Sequence, residues 1–175
     1  MTSEKLYLNS PNIGLPDGCI LRPATSQDRI AILLLVLKAL LDPTQLRWQQ
    51  FWVIESHKQI IACGQLRQFT DVEELGSLVV SRGWQKQGLG TILVQHLIQE
   101  STKPLYLECL GQNLANFYTH FGFVPVDFSA LPTSIKPKFG ISNWAKILLK
   151  IPVIFMYRRE QGTGNGEQKE TKFAL

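Results

Sequence analysis

"LVVSRGWQKQGLGTILVQHL", residues 78–97, joins an apolar β-branched run to an amphipathic one through a loop holding Gly83, Gly88 and Gly90. The first run has the composition of a strand. Just behind the loop, Leu89, Ile92, Leu93, Leu97 and Ile98 fall on one stripe at helical spacing and predict a helix. A glycine loop that runs into a helix presents free backbone N–H groups and the positive end of the helix dipole, and both suit a pyrophosphate. Gly88 and Gly90 carry no side chain to bar the phosphate oxygens. Taken alone, the glycine pair is equally well a packing feature of a helix start. Two nucleotide readings fall away. The lysine that a P-loop needs after its last glycine is missing, and a dinucleotide fingerprint needs a third glycine and a parallel strand–helix–strand unit.

Working outward, the chain reads as an irregular lead-in over 1–18, punctuated by Pro11, Gly14, Pro16 and Gly18, then a short strand Cys19–Pro23. Ser26 is placed to cap a helix, with Asp28 in its first turn and the apolar run Ile30–Leu41 as a buried body ended by Pro43. A short helical piece over 44–49 follows. Strand periodicity then takes over in "FWVIES" (51–56) and "QIIACGQLRQF" (59–69), a hairpin turning at His57-Lys58, and in "ELGSLVV" (74–80). Beyond the glycine loop and its helix come a strand over 104–110, a helix over 113–121 capped by Asn113 and stopped at Gly122, and a strand at "FGFVPV". The segment 125–150, with Pro132, Trp144 and the amphipathic "NWAKILLK", is longer than a plain connection needs, and a last strand fills 151–159. The polar, glycine-rich tail 161–175 is expected to be disordered. This order predicts one α/β (α+β) domain over 19–160, a mixed sheet with helices on its faces.

Composition bounds the function. A chain of 175 residues with 45% hydrophobic and 18% charged residues can bury one sizeable core. A net charge of +4 suits an anionic ligand but is too diffuse for a nucleic-acid footprint, and the pairs Lys136/Lys138 and Arg158/Arg159 read as solvated faces. The three cysteines, Cys19, Cys63 and Cys109, are far apart in apolar runs, as reduced thiols are, and no Cys/His spacing fits a metal. No membrane span is expected, since the most lipophilic run is about 12 residues long where a span needs about 20. The N-terminal residues have no basic n-region or apolar h-region, so no secretory leader is expected and the cytoplasm is the default compartment.

At residues 78–97 the sequence resembles the acetyl-CoA-binding motif of the GCN5-related N-acetyltransferases (GNAT). That pattern is an apolar strand, about four residues, then Gln/Arg-x-x-Gly-x-Gly/Ala opening a helix; Gln85, Gly88 and Gly90 fill its restricted positions. "ANFYTHFGFVPV" resembles the family's second signature, a Phe-Tyr pair followed by Gly-Phe, and "LRPATSQD" its first strand and helix cap. The resemblance runs in order over roughly 19–159. It implies a mostly antiparallel sheet of about seven strands, split between strands 4 and 5 to admit the co-substrate, acetyl-CoA, with no metal.

The resemblance also implies roles. Gln85, Lys86, Gln87, Gly88, Leu89, Gly90 and Thr91 would surround the pyrophosphate, the Leu78–Val79–Val80 backbone would pair with the pantetheine arm, and the Val80 N–H would face the oxyanion. Tyr118 occupies the position of the general acid; Asn113, Asn116 and Phe117 would touch the co-substrate. A lysine-like amine has a pKa of about 10.4 and needs a base, for which Glu74 is the candidate, with Glu73 its nearest rival. On an unbulged strand Glu74, Gly76, Leu78 and Val80 share one face; a solvated strand-edge carboxylate is the competing reading of Glu74. Cys109 reads as core, not nucleophile, because no histidine accompanies it. The expected activity is N-acetylation of a protein lysine, a protein N-terminus or a small amine by a monomer or homodimer. An acyl-CoA-binding module without catalysis is the alternative.

Overall fold

The protein, described from a computed structural model over residues 14–150 and 152–158, is built on one seven-stranded sheet in the order β1-β2-β3-β4-β5-β7-β6. The strands are β1 (Cys19–Pro23), β2 (Phe51–Ser56), β3 (Gln59–Gln68), β4 (Glu73–Val80), β5 (Leu105–Leu110), β6 (Phe123–Pro125) and β7 (Val153–Arg158). The helices are α1 (Arg29–Lys38), α2 (Leu89–Glu100), α3 (Gly111–Thr119) and α4 (Lys136–Leu149). All neighbours pair antiparallel except β4 and β5, which run parallel. The expected class, strand count and split are all present. The lead-in expected over 1–13, the tail expected over 161–175 and the Trp144 side chain lie outside the described residues.

The split follows from the pairing. β4 and β5 share only Glu73↔Leu105 and Glu74↔Tyr106, after which β4 continues to Val80 and β5 to Leu110 without a ladder between them. Helices cover both faces. α2 and α3 pack Val94, Leu97, Ala115 and Tyr118 against Leu66, Leu75, Leu107 and Met156. On the other face α1 sets Ile32 and Val36 against Val53, Cys63 and Val79, and α4 sets Phe139, with Ile135 just before the helix, against Val153 and Phe155.

Several local expectations are corrected. The cap of the first helical turn is Thr25, not Ser26: Thr25 N–H and Oγ1 donate to Asp28 Oδ2 at 2.7 and 2.9 Å in a capping box. α1 is not a buried helix, because only Ile32 and Val36 are fully buried, with Leu35 partly so, while Ile30 is 72% exposed. The run is apolar all round, so composition did not mark the inward face. The piece over 44–49 is reduced to one 3-10 turn at Trp48–Gln50. α3 begins at Gly111, so Asn113 lies inside it as an exposed residue and caps nothing. Gly122 does take the left-handed conformation expected of a helix stop, at φ 84°. Among the described residues no helix is long and apolar enough to cross a membrane.

Candidate active site

The glycine loop leaves β4 at Val80 and enters α2 at Leu89. Gly88 stands just before the helix at φ 81°, in the left-handed region that a side chain disfavours, and no atom lies within 4 Å of where its Cβ would be. Within α2 the Ile92 N–H is bonded to the Gly88 carbonyl at 3.0 Å, so the amides of Leu89, Gly90 and Thr91 precede the helical ladder and point out of its end. Lys86 and Gln87 are exposed, and Gln87 Nε2 donates to the Gly83 carbonyl at 3.3 Å. Gln85 turns back, its Nε2 donating to the Val80 carbonyl at 3.1 Å, and so ties the loop to the strand end. Leu89 is 1% exposed and packs inward, which leaves only its backbone to face a ligand.

At the end of β4 the backbone directions can be assigned. Ser81 N–H donates to the Ile61 carbonyl on β3 at 2.8 Å. Strand amides alternate sides, so those of Val80 and Leu78 point away from β3 toward the split, and that of Val79 points to β3. The Val79 side chain sits under α1 in the core. Of the three residues expected to meet pantetheine, Leu78 and Val80 thus present edge groups and Val79 does not.

β4 is bulged. Its register with β3 moves from Gln65↔Gly76 to Cys63↔Val79, so two residues of β3 match three of β4, and Ser77 takes φ 48°. The extra residue reverses the alternation: Leu75, Leu78 and Val80 pack toward α2, while Glu74 faces α4. The expectation that Glu74 and Val80 share a face is therefore overturned.

Glu74 is also no solvated carboxylate. It is 1% exposed, and its Oε1 accepts from Arg67 Nη1 at 2.7 Å and from Lys138 Nζ of α4 in a short contact. Lys138 reaches on to Glu108 Oε1 at 2.9 Å, bridging β4 to β5 just where the two strands part. Lys138 is thus not on a solvated face, with its side chain 13% exposed. Arg67 Nη2 donates to Ser77 Oγ at 2.8 Å, and buried Gln65 donates to the Gln45 carbonyl at 2.9 Å and Gln50 Oε1 at 3.1 Å. Gly76 is needed here, because a Cβ would overlap the Arg67 guanidinium, within 2.9 Å of Cζ. Burial pushes the Glu74 carboxyl up from the usual carboxylate range, and Lys138 and Arg67 oppose that. One oxygen of each carboxylate, Glu74 Oε2 and Glu108 Oε2, is buried without a hydrogen-bond partner. Glu73 turns elsewhere, accepting from the N–H and hydroxyl of Thr102 at 3.0 and 3.1 Å.

From the other side of the split α3 brings Phe117, whose Cζ lies 3.9 Å from a Cβ position on Gly90, against the loop. Phe117 is half-buried and Tyr118 is 7% exposed, so Tyr118 is the more deeply set of the pair. Its ring stands 5.1 Å from Phe117 and 5.9 Å from Phe123, centroid to centroid. Burial raises the phenol well above the ordinary tyrosine range, and the nearby Cys109 adds to the shift. Cys109 itself is buried and pushed up to about 11, a protonated thiol unsuited to nucleophilic attack. Asn113 and Asn116 are exposed on α3, with Asn116 Oδ1 held by Gln112 Nε2 at 2.8 Å. The loop, the β4 edge and the Phe117–Tyr118 pair thus meet around the split. Arg67, Lys138, Glu108, Gln65 and Ser77 join Glu74 without being expected at the site; Gln65 and Arg67 alternate with apolar neighbours along 59–69, and Ser77, Glu108 and Lys138 carry no such signal.

Residues 47–125 match the family model of the acetyltransferase (GNAT) domain. Among solved structures, N-acetylglutamate synthase from Neisseria gonorrhoeae, complexed with coenzyme A and N-acetyl-glutamate, superposes with a TM-score of 0.66 at 20% identity. The match covers 83% of this chain and 36% of the synthase, so the chain spans about a third of that protein. Rv2747 from Mycobacterium tuberculosis, in complex with CoA, gives 0.64 at 18% identity over 79% of this chain and 98% of its own. ElaA of Escherichia coli gives 0.59 at 17% identity, covering 81% and 99%. The matched residues run from just before β2 to the end of β6 and so take in the glycine loop, the split and the Phe117–Tyr118 pair.

Proposed function

We propose that the chain is an acetyl-CoA-dependent N-acetyltransferase in which a primary amine attacks the thioester directly within a ternary complex. The observation that carries this reading is the state of Glu74: a buried carboxylate at the closed end of the split, anchored through Oε1 and left with Oε2 unpartnered. A base needs such an oxygen, and a binding module does not. CoA in the complexes of the synthase and of Rv2747 supports acetyl-CoA as the donor. The open Gly88 loop and the outward amides of α2 suit its pyrophosphate.

In this reading the amide of Val80 faces the carbonyl oxygen and stabilises the charge that develops on it. Glu74 takes the proton of the ammonium through a chain of waters along the split, and its raised pKa brings it nearer to working pH than an ordinary carboxyl. Tyr118 keeps its proton at all physiological pH values and gives it to the departing thiolate. The amine nitrogen forms the amide as the C–S bond breaks, so acetylated amine and CoA leave.

The test is thiol release from acetyl-CoA across a panel of free amino acids, simple amines and peptides, for the wild type and Glu74→Gln. We expect turnover with at least one acceptor, a loss of about 10²–10⁴-fold in Glu74→Gln, and loss of the acid limb of the pH–rate profile. CoA binding with no turnover on any amine would instead favour the acyl-CoA-binding module.

A further inference from the structure

α1 and α4 cover the same face of the sheet, and both leave aliphatic side chains in water on their outward sides. Of the eleven large hydrophobic side chains exposed among the described residues, eight lie on these two helices or on the turn that ends α1. On α1, Ile30, Leu34 and Leu37 stand at helical spacing opposite the buried pair Ile32 and Val36. On α4, Ile141 and Leu148, seven residues apart, lie opposite buried Phe139. Exposed aliphatics gathered on one face mark a surface that something covers.

The helix ends show that the fold is not the reason. Leu40, just after α1, is 93% exposed at φ 56°, in the left-handed region where a helix stop is ordinarily glycine. Lys150 ends α4 in the same way, exposed at φ 54°. Both positions favour glycine, yet one holds an aliphatic side chain and the other a cation.

The charge on this face has one sign. α1 and α4 contain Arg29, Lys38, Lys136, Lys138 and Lys146 and no acidic residue. Lys138 turns inward to Glu74, but Arg29, Lys38 and Lys150 are exposed and have no ion-pair partner among the described residues. Of the acids on neighbouring segments, Asp28 and Glu55 are both held by Arg22, at 2.7 and 2.6 Å, and Asp42 accepts from Thr44. A second copy fits such a face poorly, since in a two-fold dimer it would meet itself and set like charges together. α1 is moreover a ridge, with one cleft between Leu33 and Trp48 and another between Leu34 and Lys58. A rigid partner must match that relief, whereas lipid tails flow around it.

We infer that this face docks on an anionic lipid bilayer as a peripheral contact, its aliphatic side chains dipped into the boundary between headgroups and acyl chains and Arg29, Lys38 and Lys150 set on lipid phosphates. The docking is independent of the proposed acetyl transfer.

The test is flotation of the full chain with vesicles of phosphatidylcholine alone and of an equimolar mixture with phosphatidylglycerol, in low salt and at about 1 M. The mixed vesicles should bind at least about tenfold more tightly than the neutral ones, and high salt should remove most of the difference. Leu40→Gly should weaken binding about tenfold and Lys150→Gly about fivefold, with Tm held or raised because glycine suits both backbones. Leu114→Ser, at an exposed position of α3 on the opposite face, should bind as the wild type does. No vesicle binding, equal binding to the two compositions, or wild-type binding by both glycine variants overturns the inference. A dimer that Leu40→Gly dissociates, without vesicle binding, overturns it and makes a second copy the occupant. Capture of an acidic amphipathic peptide, again without vesicle binding, overturns it in favour of a protein partner.

Discussion

Arg67 and Lys138 act on Glu74 through the same oxygen, which sets up a test of sign at a single residue. Burial favours the protonated carboxyl, the two cations favour the ionised one, and Glu108 opposes ionisation. Removing a cation in Lys138→Met should raise the carboxyl further, so the base ionises only at higher pH and the acid limb of kcat/KM moves up. Glu108→Gln removes a like charge and should move the limb down. A pH–rate profile of the two variants checks both signs, and a limb fixed in each would show that Lys138 is structural only. Tyr118→Phe belongs to the same scale. It should cut kcat by about 10²-fold with acetyl-CoA affinity unchanged, because in the proposed reaction the phenol's proton is needed only when the thiolate departs. Equal losses in turnover and affinity would instead mark a packing role.

At the scale of elements, α4 holds Lys138 in place, and it is itself held by Phe139, fully buried and stacked on Phe155 with centroids 5.3 Å apart. Phe139→Ala should destabilise the protein by about 3–5 kcal/mol and shift the acid limb in the same direction as Lys138→Met, as followed by denaturant unfolding and the pH–rate profile. The first helical turn makes a separate case. Arg22 at 2.7 Å and the Thr25 amide hold the Asp28 carboxyl down to about 2. A folded pKa below the unfolded one gives stability that is present above pH 4 or so and lost as pH falls toward 2. Asp28→Asn should cost about 0.5–2 kcal/mol at neutral pH and nothing at the bottom of that window, measured by urea unfolding at several pH values. These elements also mark where the sequence stops being legible. Strand order, the glycine loop and the α2 stripe are local patterns, readable over a few residues. The bulge at Ser77 exists only relative to β3, and the Lys138–Glu74 contact joins residues 64 apart, so neither leaves a local trace. Lys138 therefore reads as solvated in the sequence, and a count along an unbulged strand puts Glu74 on the face of Val80 when it lies on the other.

For the whole molecule, the sheet is two parts held across the split by two registered pairs at its closed end, by core packing and by the Lys138 bridge. A ligand that lies along the β4 edge while its pyrophosphate sits at α2 touches both sides and should stabilise the assembly as one unit. At a concentration a hundred times its Kd such a ligand contributes about 2.7 kcal/mol, which for a chain of this size corresponds to a rise of roughly 5–11 °C in Tm. We expect that rise with acetyl-CoA or CoA in a thermal-shift measurement, and none with NAD or ATP at equal concentration. Gly88→Val should remove most of it, because a β-branched side chain is strained at φ 81° and fills the open space before the α2 amides. The unliganded Tm of that variant gives the control, since the space in front of Gly88 is empty and the cost there is confined to one strained residue. A shift with NAD or ATP and none with CoA would mean that the loop cradles a different phosphate, and the co-substrate would have to be reassigned while the fold stood.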